Sequence, residues 1–243
     1  MRRLIHALLC PLVALLLAAC TSLGAPDEAA LAQTDFGPEE TLRVCLLLDE
    51  PKITQKTAAP LITSITQEFA KYNIRVTVPW YRSWHRPGGG VMAIIAALAD
   101  EQLAPPCDRL LALVGRNFGD FLIGLLAVDE LGSVDTVTST RGYVAANVGT
   151  LNQVFVSPEA AVVHEAYHLL GCQHDSSMAA CYARIHRLKD AAALNRANGN
   201  DFFPTYSRRG QLLMNRAEVD VREAMALKVE RAKSGNAQES QSR

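Results

Sequence analysis

The sequence predicts an α/β domain built on a twisted, mostly parallel sheet. Two observations carry that expectation. Short apolar runs bounded by turn residues alternate with stretches of helical periodicity, and their order begins strand, helix, strand, helix, strand. Leu42 to Leu48 is an apolar run closed by Asp49, Glu50 and Pro51, which reads as a buried strand. From about Thr54 to Tyr72, Leu61, Ile62, Ile65 and Phe69 recur at helical spacing. Ile74 to Trp80 alternates and is β-branched, so a second strand is expected there. Trp84 to Gly90, with His85 and three glycines, is expected to be a loop.

Val91 to Leu103 predicts a second helix, broken by Pro105 and Pro106, and Arg109 to Val114 a third strand. The pattern loosens from Asn117 to Val137, with a candidate short strand at Phe121 to Val128, and tightens into another strand at Arg141 to Val148. Ser157-Pro158-Glu159 then supplies a helix start: a capping serine, proline in the first helical position and an acid in the first turn. The closing stretch, Glu218 to Arg231, carries Val219, Val221, Ala224, Met225, Leu227 and Val229 among charges and is expected to pack as an amphipathic helix.

The ends read differently. Arg2 and Arg3 followed by the apolar run Leu4 to Ala19 have the build of a secretory signal, too short for a membrane span. Leu17-Ala18-Ala19-Cys20 resembles a bacterial lipobox, which implies cleavage before Cys20 and lipid (palmitate among the acyl chains) on its sulfur. Thr21 after that cysteine, by resemblance to Gram-negative lipoproteins, implies the outer membrane. Residues 1–19 are thus expected to be signal, 20–40 a lipidated flexible tether, 41–233 the folded domain and 234–243 a disordered polar tail. Without the signal, 22 basic residues face 25 acidic ones, a balance that gives no sign of nucleic-acid binding. The sequence carries no signal for an oligomeric state. Cys45, Cys107, Cys172 and Cys181 remain to form two disulfides in an oxidising compartment, with three pairings open; Cys172 and Cys181 are close enough to close a small loop.

The chemistry lies in His164-Glu165-Ala166-Tyr167-His168-Leu169-Leu170-Gly171-Cys172-Gln173-His174-Asp175. Histidines four apart share a helix face, so His164 and His168 can reach one cation while Glu165 sits beside its water. His174 cannot lie on that face; the chain must turn, and Gly171 tolerates the positive φ of a sharp turn. Three imidazoles leave a fourth position open, as in a catalytic zinc site. Five specified positions agree by chance on the order of once in 10⁵ chains of this length.

With these residues the sequence resembles the metzincin clan of zinc metallopeptidases, adamalysin-like or archaemetzincin-like, Asp175 marking the adamalysin branch. The resemblance implies one catalytic Zn²⁺ on His164, His168 and His174, Glu165 as general base, and Gly171 as the turn. It also implies an upper sheet with two long helices, an active-site helix, and a smaller, mostly irregular or helical C-terminal subdomain. It places a methionine turn beneath the metal at Met214, with Met178 as the alternative, and Arg216 stands where some branches carry a tyrosine ligand. His85 and His186 read as surface residues. The expected function is hydrolysis of peptide bonds in envelope or extracellular proteins. The alternatives are a catalytically silent zinc-binding lipoprotein that holds a peptide or protein partner, and a structural lipoprotein with incidental histidines.

Overall fold

The central strand β1, Glu40–Asp49, is buried along almost its whole length. A strand so placed must be covered on both faces, and its sequence is apolar at consecutive rather than alternate positions. The computed structural model describes residue 23 and residues 26–88, 90–116, 131–147 and 156–241, the side chains after residue 228 excepted. The expected signal, Cys20 and the candidate strand at Phe121 to Val128 lie outside these residues.

On one side β1 pairs in parallel with β4, Arg109–Val114, which pairs in parallel with β6, Arg141–Ala145. On its other side β1 pairs first with β2, Ile74–Thr77, and then with β3, Tyr81–Trp84. A short edge strand β5, Gly132–Val134, runs antiparallel to β6. The result is a mixed α/β fold with a mostly parallel sheet, as the alternation of elements predicts. The order of strands is β2 or β3, β1, β4, β6, β5.

Alternate residues of β1 enter different clusters. Leu42, Val44, Leu46 and Leu48 join the main core; Cys45 and Leu47 face the other side. The main core is covered by α2, Gln55–Ala70, and α4, Pro158–Leu169, which also pack against each other. The opposite face is covered by α3, Val91–Ala99, through Ile94 and Leu98. After α4 come α5, Met178–Ala197, the two-stranded hairpin of β7, Thr205–Tyr206, with β8, Leu212–Leu213, and α6, Arg216–Gln241. No helix among the described residues is long and apolar enough to cross a membrane.

Four expectations need correction. The single strand at Ile74 to Trp80 is two, because Pro79 has no N–H for the ladder; the chain steps at that point and Trp84, expected in a loop, pairs with Asp49. The tether is largely folded. A helix α1, Glu28–Gln33, capped by Asp27, packs on α5, and Leu23 and Phe36 are buried in the main core. Phe36 packs at a tilt against Tyr72 and edge-on against Tyr182, contacts that hold the segment down. The tail beyond Ser234 continues α6 to Gln241 as helix. Lastly, α6 docks through Val219 and through Glu223, which meets Arg141, Thr138 and Thr140, while Val221, Met225 and Leu227 are exposed.

Candidate metal centre

Helix α4 starts where the sequence places it. Ser157 accepts a hydrogen bond from the Ala160 N–H, and Pro158 opens the first turn. The helix ends at Leu169, and Gly171 turns the chain away with a φ of +76°. A β-carbon at Gly171 would also press on the Tyr206 ring at 3.1 Å, so the conformation favours glycine and the space beside it is tight.

The turn brings three imidazoles together. His168 Nε2 is 3.3 Å from His164 Nε2 and 3.1 Å from His174 Nε2. Ligands on a tetrahedral zinc at about 2.0–2.1 Å stand about 3.3 Å apart. The His168 Nδ1 faces the Cys172 carbonyl oxygen at 2.7 Å, which assigns the proton to Nδ1 and leaves the Nε2 lone pair pointing at the other two rings. Burial, and then the charge of its histidine neighbours, lowers the pKa of His168 to about 4 against the pull of the Cys172 carbonyl. Burial and His174 lower His164 as well. Both are therefore neutral at pH 7, as ligation requires. The group can hold a metal ion.

Glu165 is buried and shares with His168 and His174 a cavity of about 340 Å³. Its opposite rims are β5 and the segment Tyr206 to Arg208. Gly132 of β5 lies directly against Glu165, with no room for a side chain between them.

Both cysteine pairs are disulfides. Cys172–Cys181 closes the loop that carries His174 onto the start of α5, and Cys45–Cys107 ties β1 to the segment before β4. Two such bonds fit an oxidising, exported environment. His85 is exposed, and His186 lies on the outer side of α5 beside Asp190.

Neither methionine candidate lines the cavity. Met178 is buried in the main core as the first residue of α5. The carbonyl of Met214 accepts hydrogen bonds from Asn195 and Asn200, and its neighbour Leu213 belongs to the smaller cluster around Cys45–Cys107. Arg216 is engaged elsewhere, with Asp108, Asp201 and the Cys107 carbonyl.

Four contributors escaped sequence reasoning. Arg109, wholly buried, donates to the carbonyls of Asp108, Leu169, Phe203 and Pro204, joining the end of α4 to the segment that leads to Tyr206. Arg184 donates to the Gly171 carbonyl and lies over the Tyr206 ring. Gly132 admits Glu165. The backbone of Leu23 hydrogen-bonds the His164 ring. None has a local signal except Arg109, a charge at the head of an apolar strand.

No protein-family model matches the chain, and no curated protein does. Among solved structures, the chain is similar to metalloproteinase-II from Bacteroides fragilis at 14% identity and a TM-score of 0.35, over 60% of this chain and 50% of that one. The chain thus spans about half the length of that protein.

Proposed function

We propose that this chain is a zinc-dependent endopeptidase. The observation that carries the reading is the convergence of three imidazoles, His168 Nε2 standing 3.3 Å from His164 Nε2 and 3.1 Å from His174 Nε2, at a cavity that buried Glu165 also lines. His164, His168 and His174 would hold the ion, which would supply Lewis acidity and lower the pKa of a water beside Glu165. Glu165, with Asp135 one of two carboxylates that line the cavity among the described residues, takes the proton from the attacking water and returns it to the leaving amine. Strand β5 pairs on one side only among the described residues and lines the cavity, so an extended peptide can add to its edge beside Glu165.

We also propose that Cys20 carries a lipid, which holds the protein at the cell envelope, on the outer membrane; palmitate labelling that disappears in Cys20→Ser tests it. The catalytic reading is tested on a form that begins at Thr21. One zinc per chain and casein or peptide hydrolysis, with hydrolysis but not zinc lost in Glu165→Gln, is the expected result. Retained zinc with no hydrolysis by either protein would favour the partner-binding alternative.

A further inference from the structure

Among the described residues, four charged side chains other than histidine line the cavity: Asp135, Glu165, Arg184 and Arg208. Asp135 is committed to its own turn. Asp135 Oδ1 accepts the N–H groups of Val137 and Thr138, and its Oδ2 accepts the Thr138 hydroxyl and the Thr140 N–H. Glu165 is buried beside the histidines.

Neither arginine makes a direct ion pair among the described residues. Elsewhere in the fold Arg43, Arg141, Arg196 and Arg216 each meet a carboxylate. Arg184 instead gives one nitrogen to the Gly171 carbonyl at 2.6 Å and lies 4.8 Å over the Tyr206 ring. Arg208 is fixed by its backbone N–H on the Val137 carbonyl at 3.0 Å, and its side chain is exposed at the rim. Among the described residues neither guanidinium has a carboxylate partner. Arg187 adds positive charge behind them, one turn along α5 from Arg184, with a hydrogen bond to Tyr206.

From this arrangement we infer that the cleft selects peptides with an aspartate or glutamate side chain near the bond to be cut, bound by Arg208 and Arg184. The inference rests on the peptidase reading and names its substrate class. A guanidinium matches a carboxylate in two parallel hydrogen bonds, and an amide of the same shape cannot replace the charge. Arg184, braced on the Gly171 turn, supplies a fixed cation. Arg208, unbraced beyond its backbone, can close on the side chain after it enters.

The test uses metal-loaded protein and pairs of peptides that differ only as Glu against Gln, or Asp against Asn, at each position flanking the cleaved bond. At low salt the acidic member is expected to have a kcat/KM roughly tenfold higher or more at one position, with the ratio shrinking as salt rises. In Arg208→Gln the ratio falls toward unity, and in Arg208→Glu it inverts. Zinc content and circular dichroism of both variants show that they fold, and Arg208 is exposed enough to accept either change. Hydrolysis without a preference for the acidic member, or a preference unchanged in Arg208→Glu, overturns the selectivity alone. Failure of the zinc-loaded wild type to cut any peptide overturns the peptidase reading and the selectivity with it.

Discussion

A β-carbon on Gly132 would stand 2.6 Å from Cγ of Glu165 and 2.7 Å from the Tyr143 carbonyl oxygen. The edge strand therefore sets how deep the glutamate sits. Gly132→Ala must displace one of them, and overpacking of this kind costs about 1–3 kcal/mol. Peptide hydrolysis is expected to fall roughly tenfold or more while zinc content stays at one per chain, because no histidine is touched. Loss of zinc in this variant would show that Gly132 serves the ligands instead.

The Cys172–Cys181 disulfide holds the carbonyl that orients His168 and the loop that carries His174. Replacing both cysteines with serine is expected to weaken zinc binding about 10–100-fold, the usual cost of disturbing a ligand's supporting contacts. Competition with a chelator measures it. The same change at Cys45 and Cys107, which join the smaller cluster, should lower the melting temperature without that loss of affinity.

Arg109 → Leu strands three distant carbonyls, those of Leu169, Phe203 and Pro204. Burial lowers the pKa of Arg109 only to about 10, so it is charged at neutral pH and its loss also removes charge-assisted bonds. Destabilisation of roughly 3 kcal/mol or more is expected in urea titration. Lysine, a point donor on a flexible four-carbon stem, cannot serve carbonyls in a fork and should recover little.

Glu68 accepts hydrogen bonds from Lys71, Tyr167 and Tyr72, which outweigh its burial and hold its pKa below the ordinary 4.5. The unfolded chain then binds the proton more readily than the folded one in that range, so stability contributed by Glu68 is present above pH 4.5 and lost as pH falls below it. Tyr167 stands between His164 and His168 on α4, so acid is expected to loosen the helix that carries the candidate site. Burial above all keeps both phenols protonated, and they take no part in the titration. Glu68→Gln should flatten the acid limb of the stability curve, converging with the wild type at low pH; parallel curves would assign that limb to other carboxylates.

The legible parts of the fold were those where one physical requirement speaks through several neighbouring residues. Strand β4 is six consecutive buried positions, and α4 announces its start through Ser157 and Pro158. Gly171 was legible because a third histidine beyond a helix demands a turn. Leu23 and Phe36 are single apolar residues in a polar stretch, with no period to distinguish burial from exposure. Strand β5 has three residues and contains the glycine that Glu165 needs, so its propensity is weak where its role is large. In α6 the periodic pattern is real, but periodicity does not say which face docks; Val219 and Glu223 do so, and the more apolar side faces out.

Leu23 is packed in the main core and hydrogen-bonded to His164, and only two residues separate it from Cys20. Three residues of chain reach about 10 Å at full stretch. A lipid on Cys20 would therefore moor the cleft itself rather than swing a domain on a long leash. The twenty residues of play that composition suggests would shrink to a few, and with them the volume within the protein's reach. On the lipid-anchored peptidase reading, its working territory would be a thin layer at the bilayer surface, where a polypeptide would be cut only if it came down to the membrane.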